Sequence, residues 1–243
     1  MEKVRILGLS ATPIKGGNCD TAVQEALKSA KVMESPELGE VETEFITLAG
    51  KEIAMCKHCQ WCIENRSGCK FQDDSQMVFD AMRKCDGLII GTPTWTNALM
   101  PLFPILMSRA RTIAFFTHDF RNKVVGFITL GFLGFGYERC LDSIKNITLP
   151  FNMIPVAEAP VTGTTRAFGQ RPEYLEHGVL DDTWGMTRVR MVGPRVVEVA
   201  RMIKYATING IVIPEEYNRT YVGGKARKLE DMVFEKGVWR AKA

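Results

Sequence analysis

The chain has 243 residues and a mass of 27.2 kDa, which at ~150 residues per domain allows one large domain or a domain with an appendage. It is 46% hydrophobic and 24% charged with a mean hydropathy of -0.05, which excludes a disordered chain, a collagen-like fibre and a coiled coil, and no window reaches ~18 uninterrupted apolar residues, so no membrane span is expected. A formal charge of +3 is too mild to argue for nucleic acid, and the charged start Met1-Glu2-Lys3-Val4-Arg5 lacks the apolar core of a signal peptide, so the expected location is cytoplasmic.

Residues 3–9 read as a buried strand ending at Ser10, followed by a loop over 10–18. From 19 to about 33, Ala22, Val23, Ala26, Leu27 and Ala30 recur at helical spacing. Residues 41–48 alternate as a second strand, with Val41, Phe45 and Leu48 facing inward. Residues 50–71 form a cysteine-bearing loop, and 73–84 a helix that Asp73 or Asp74 caps. The short apolar run 87–91, bounded by glycines, suits a central parallel strand. Residues 99–115 are expected to be helical, with Pro101 and Pro104 in the first turn, where backbone N–H groups lack acceptors anyway. A fourth strand follows at 123–130, a helix at 136–147 and a fifth strand at 151–156. Residues 157–182 look loop-like. The last long helix starts at Gly185 or Gly193 and ends near 208, and 210–243 is a weakly periodic tail.

Strands alternating with helices mean βαβ units and a parallel sheet. The expected fold is therefore α/β: a flavodoxin-like doubly wound five-stranded parallel sheet, order 2-1-3-4-5, over residues 1–209. It carries a cysteine-rich loop within 50–72, and 210–243 form a C-terminal extension. In such a sheet a ligand sits beyond the carboxyl ends of strands 1 and 3.

The loop after strand 1 carries Ser10, Thr12, Lys15, two glycines and Asn18 just before a helix starting near Cys19. A helix N-terminus presents unpaired N–H groups and partial positive charge, which suits a phosphate. The loop is neither Gly-x-Gly-x-x-Gly nor Walker A. A monophosphate such as that of FMN matches its donors, and an ordinary Ser/Thr-rich turn is the alternative.

Seven cysteines are present, and four of them, Cys56, Cys59, Cys62 and Cys69, fall within fourteen residues. A disulfide scaffold would spread an even number over a small secreted chain. Three thiolates at two-residue gaps, with a fourth brought back past Gly68, fit the iron corners of a [4Fe–4S] cube, the start used by bacterial ferredoxins. The fourth cysteine is followed by Lys70 rather than proline, so this is not a ferredoxin unit. Zinc, with His58 as a spare ligand, and free thiols are the alternatives. Cys85 and Cys140 lie in helical patterns and read as small buried hydrophobes.

Two more loops are expected on the same edge. Gly91-Thr92-Pro93-Thr94-Trp95-Thr96-Asn97 after strand 3 offers backbone amides beside an aromatic, which suits a flat heteroaromatic ring; a proline turn with Trp95 in the core is the competing view. After strand 4, Thr129, Gly131, Gly134 and Gly136 sit in a stretch whose glycines let backbone approach a ligand, or simply let the loop flex above packed phenylalanines.

At these residues the chain resembles the iron–sulfur flavoproteins, within the wider NADPH-dependent FMN reductase and flavodoxin-like superfamily, over about residues 3–207. Ser10-Ala11-Thr12-Pro13-Ile14-Lys15-Gly16-Gly17-Asn18 resembles the family's phosphate loop, Ser-Gly-Ser-Pro-Arg-Lys-Gly-Gly-Asn-Thr. The resemblance implies that Ser10, Thr12 and Asn18 hold the FMN phosphate, with Cys19 where a Thr or Ser is usual. Thr92-Pro93-Thr94-Trp95 resembles Ser-Pro-Val-Tyr, which lines the flavin; Asn97 replaces a usual Gly and Pro104 a usual Lys. Thr129, Gly131, Gly134 and Gly136 resemble the loop on the ring's other side, and Asp181-Asp182 with Gly185 the acidic stretch before the last helix. The four cysteines match the compact motif that sets iron–sulfur flavoproteins apart from plain FMN reductases.

The resemblance implies an oxidoreductase holding FMN and a [4Fe–4S] cluster. It would take electrons from ferredoxin or NAD(P)H and pass them to a small acceptor such as oxygen, peroxide, a quinone or an organic substrate. Electron transfer of this kind needs no protein acid or base, so His118 and His177 are expected to be surface or structural residues. Family members commonly form homodimers or homotetramers, for which Phe132, Phe135 and the tail are candidate contacts. The competing functions are an NAD(P)H-dependent FMN or quinone reductase without a functional cluster, and a non-enzymatic electron carrier.

Overall fold

The computed structural model describes residues 2–132, 134–164, 178–211, 220–222, 225–227, 231–235 and 238–242. His177 lies outside them.

The sheet is built on β1 (Val4–Ser10), β2 (Val41–Thr47), β3 (Gly87–Trp95), β4 (Ala98–Leu99), β5 (Val124–Phe132) and β6 (Ile154–Thr164). The order is β2-β1-β3-β5-β6, with β4 paired to β3. The five long strands are all parallel, as expected, and lie in the expected order. The sixth is new: β4 folds back antiparallel, Thr94 opposite Leu99 and Trp95 opposite Ala98. Thr96 and Asn97 between them both have positive φ, +48° and +58°. Two left-handed residues make the turn type whose twist matches a two-residue hairpin. The segment expected as a loop is thus strand up to Trp95 and a hairpin beyond.

Two layers of helix cover the sheet. On one face lie α1 (Asn18–Lys31) and the last long helix, α6 (Thr183–Ile208). Here valines and alanines meet glycines: Val23 presses on Gly8 and Gly91, and Val192 and Val196 on Gly126 and Gly87. On the other face lie α3 (Ser75–Lys84), α4 (Leu102–Ser108) and α5 (Tyr137–Thr148). They bury larger side chains, among them Phe79, Met82, Phe103, Phe120, Phe127 and Phe151.

Three boundaries depart from expectation. The helix expected over 99–115 is split: Pro101 caps α4, which stops at Ser108, and a π-helical turn follows at Ile113–Thr117. The strand expected at 151–156 begins at Ile154 and runs to Thr164, into the stretch expected to be loop. Pro160 disguises it, but β6 pairs on one side only, and an edge strand tolerates a missing N–H. The last helix begins at Thr183, earlier than either glycine, because the Asp182 side chain accepts from Gly185 N and caps it. At the far end of the chain, Thr220–Val222 pairs with Lys225–Arg227, and Met232–Glu235 with Val238–Ala241.

Candidate functional site

The first loop leaves β1 zipped to its neighbours. Leu48 N donates to Ser10 O and Ala11 N to Gly91 O, at 2.8 and 2.7 Å. Ser10 is fully buried with an unpartnered Oγ, and Thr12 is nearly as covered, its Oγ1 accepting from Ile14 N at 3.2 Å. The exposed part of the turn is Pro13, Lys15 and Gly16. Gly16 has φ +69°, and its N–H is taken by Asp20 Oδ2 at 2.7 Å. The Asn18 carboxamide acts as a clasp, donating to Gly163 O at 2.8 Å and accepting from Val179 N at 2.9 Å. It fastens the start of α1 to the end of β6 and to the approach to α6. Cys19 turns its thiol inward against Gly91, and burial pushes that thiol up to about 12. From Cys19, then, only the backbone is available at this surface.

The second and third loops form one wall. Thr94 Oγ1 donates to Phe135 O at 2.9 Å. Gly136 has φ +81°, and a Cβ there would come within 2.8 Å of Asn97 Cα. Gly131 is equally hemmed, with Phe135 O at 2.6 Å and Tyr137 Cε1 at 2.7 Å from an added Cβ. Pro93 and Thr94 are half-buried, while Trp95, Thr96 and Asn97 are exposed. Thr129 is buried on β5 with an unpartnered Oγ1, and Gly134 turns the chain at φ +86°. Trp95 is therefore not a core residue. It stands with Phe132 and Phe135 as exposed aromatic surface beyond the carboxyl ends of β3 and β5.

The cysteine loop lies over the Phe/Met face. It contains one short helix, α2 (Trp61–Glu64), entered from Gln60 at φ +62°. Cys56, Cys59, Cys62 and Cys69 line one hollow. Four cations line it too: Lys57, Lys70, Arg109 and Arg111. Among the described residues no three His, Cys, Asp or Glu side chains converge to hold a single metal ion. Side chains hang the loop on the end of α4. Cys56 N donates to Ser108 Oγ at 3.1 Å, and Thr112 Oγ1 to Ser67 O at 2.6 Å. The buried Arg109 guanidinium donates to Ala54 O at 2.9 Å and Phe71 O at 2.6 Å, and pairs with Asp73. Burial opposes the Arg109 charge, but the hydrogen bond to Asp73 and the neighbouring Cys69 thiol hold its pKa above the ordinary value. His58 is exposed, its ring contacting Gln60.

Sequence reasoning missed Ser108, Arg109 and Thr112. The available signal was two arginines in the middle of a mostly apolar run over 102–116, since a cation there must be buried with partners. The N-cap position of α3 is Asp74, whose side chain makes no capping bond: its Oδ2 accepts from Glu52 N at 2.7 Å and closes the base of the cysteine loop, while Asp73 Oδ1, one residue earlier, accepts from Ser75 N at 3.0 Å. Cys85 and Cys140 are buried in the helical layers as expected. His118 is half-buried with its pKa lowered by burial, and lies outside both clusters of site residues.

Known proteins resemble this chain in sequence and in fold. The profile of the NADPH-dependent FMN reductase family matches residues 4–166. An iron–sulfur flavoprotein of Methanocaldococcus jannaschii is 31% identical over 208 residues, covering 83% of this chain and all of that one. An iron–sulfur flavoprotein of Methanosarcina thermophila is 27% identical over 202 residues, covering 83% of this chain and 97% of that one. Among solved structures, RosB with bound 8-demethyl-8-formylriboflavin-5'-phosphate superposes with a TM-score of 0.64 at 15% identity, over 83% of this chain and 81% of that one, a likeness of fold. The chain belongs to the NADPH-dependent FMN reductase family, alongside its iron–sulfur flavoproteins, and is a flavin-dependent oxidoreductase.

Proposed function

We propose that the protein holds FMN beyond the carboxyl ends of β1, β3 and β5 and a [4Fe–4S] cluster on Cys56, Cys59, Cys62 and Cys69, and that it carries electrons from ferredoxin or NAD(P)H to a small acceptor. The observation that carries this reading is the hollow shared by four thiols and four cations. Four thiolates outweigh the positive iron–sulfide core, so a cubane is an anion, and Lys57, Lys70, Arg109 and Arg111 supply the opposite charge. A cubane takes one thiolate at each iron corner, so its ligands stand around it rather than converge on one point.

The other half of the site fits FMN in the same residue-by-residue way. Lys15 and the N-terminus of α1 offer charge and backbone N–H groups to a phosphate, the N–H groups of Ile14 and Gly16 being already engaged by Thr12 and Asp20. Ser10, Thr12 and the Asn18 carboxamide shape the turn 13–18 from behind. Trp95, with the Thr94–Asn97 hairpin and the Gly131–Gly136 loop joined to it, offers an apolar wall to a flat ring. When bound, FMN exchanges one or two electrons and the cluster one, which lets one-electron and two-electron partners be joined. Exposed Phe132 and Phe135 also support a homodimer or homotetramer, with residues 210–243 as an extension beyond the sheet. No helix among the described residues is long and apolar enough to cross a membrane.

The test is anaerobic purification followed by a visible spectrum and an iron count. We expect flavin and about four irons per chain. Cys59→Ser should lose the iron and keep the flavin. Iron-free wild type, or loss of flavin and fold with Cys59→Ser, would sink the reading.

A further inference from the structure

Arg109 is 6% exposed and sits just past the end of α4. Its acceptors bracket the cysteines: Ala54 precedes Cys56 by two residues, and Phe71 follows Cys69 by two. One planar guanidinium thus ties the two ends of the loop together, a task suited to its rigid fork of donors. Two buried N–H groups nearby have no partner, Arg109 Nε and Arg111 Nη1, and both residues line the thiol hollow. An unpaired, buried, charged donor costs more than a satisfied one, so these two call for an acceptor.

We propose, resting on the cluster reading above, that Arg109 and Arg111 are positioning residues of the iron–sulfur site: Arg109 closes the cysteine loop before iron arrives, and Arg109 Nε and Arg111 Nη1 donate to cluster sulfur and raise its reduction potential. Donors and positive charge favour the reduced state, which is the more negative one. The hollow is therefore shaped by the protein and not only by the metal.

Three variants of the full chain, Arg109→Lys, Arg109→Met and Arg111→Met, separate these roles. In the apo chain, hydrogen exchange over residues 54–71 should quicken at least ~10-fold in Arg109→Lys, because a compact ammonium lacks the planar fork whose two terminal nitrogens reach Ala54 O, Asp73 and Phe71 O; exchange in the sheet should not change. After anaerobic reconstitution, Arg111→Met should keep its iron with a lowered cluster potential, read by a redox titration followed by electron paramagnetic resonance. Arg109→Met should lose most of its iron and show a lowered potential in the remainder. Unchanged exchange in Arg109→Lys overturns the clamp, and unchanged potential in Arg111→Met overturns the donor role. If Arg109→Met fails to fold, those two variants still decide both points. If wild type takes up no iron, the cluster reading falls and the donor role with it, while the apo exchange still decides the clamp.

Discussion

The loops that follow β1, β3 and β5 are extensions of paired strands, whereas residues 50–72 reach the fold through side chains. Thr92 and Pro93 are still in register with Thr129 and Leu130 when the chain arrives at the ring wall. The cysteine loop has one helical turn and depends on Ser108, Arg109, Thr112, Asp73 and Asp74. Backbone pairing places the side proposed for flavin wherever the sheet forms. Side-chain pairing makes the cysteine side a separate unit, which can loosen while the sheet stays intact. Damage to the packed helices should therefore strike both sites together, and damage to the clamp should strike one.

The largest effect is expected where the helices touch. Gly193 of α6 lies against α1: a Cβ there would overlap Ala26 O and come within 2.7 Å of Ala30 N, both backbone atoms that cannot step aside. Gly193→Ala should cost about 3 kcal/mol by overpacking. That lowers the melting temperature by about 6–12 °C, and flavin and iron should be lost together on heating. A melt within a degree of wild type would show that α1 and α6 are not in such contact.

Next comes the clamp. Burial of Asp73 opposes its charge, but hydrogen bonds from Ser75, Ala54 N and Arg109 prevail and hold its pKa at about 2, against an ordinary 3.8. A carboxylate whose folded pKa is depressed contributes its stability above its unfolded pKa and loses it as pH falls through the folded one. The contribution is about 2 kcal/mol at neutral pH and fades between about pH 4 and about pH 2. Asp73→Asn should therefore be less stable than wild type at pH 7, and the gap should narrow below pH 4. Denaturant unfolding of the apo chain at pH 7 and pH 3 reads this directly. An equal gap at both values would remove the charge from the account.

The same division explains what the sequence made legible. Ile6, Leu7, Leu88, Ile89 and Ile90 form continuous apolar runs because their strands are buried on both faces, so the parallel sheet could be read without structure. The Cys-x-x-Cys-x-x-Cys spacing is local, and so was the suspicion of a cluster. What escaped was distant in sequence. Arg109 meets Ala54 across 55 residues and Asn18 meets Gly163 across 145, and no periodicity records a side chain closing a loop so far away. The β4 hairpin escaped for a different reason: its turn is Thr96-Asn97, without the glycine that usually announces a left-handed pair. Pro160 hid the second half of β6 because a proline is informative only once the strand is known to be an edge.

The smallest expected effect tests the flavin wall alone. Thr94 Oγ1 and Phe135 O form a side-chain link between the hairpin and the loop after β5. Thr94→Val keeps the β-branched shape that suits a strand but removes the donor. A neutral hydrogen bond of this kind contributes about 1 kcal/mol, so if the wall must be closed for the ring to bind, flavin affinity should fall about fivefold. The clamp is untouched, and iron content should equal wild type. The two measurements, flavin titration and iron count on one preparation, make the variant the mirror of Asp73→Asn. Loss of iron with Thr94→Val would mean that the wall and the cysteine loop are coupled, and the division into backbone-held and side-chain-held halves would be wrong. Unchanged flavin affinity would mean that Gly136 against Asn97 suffices to hold the wall closed.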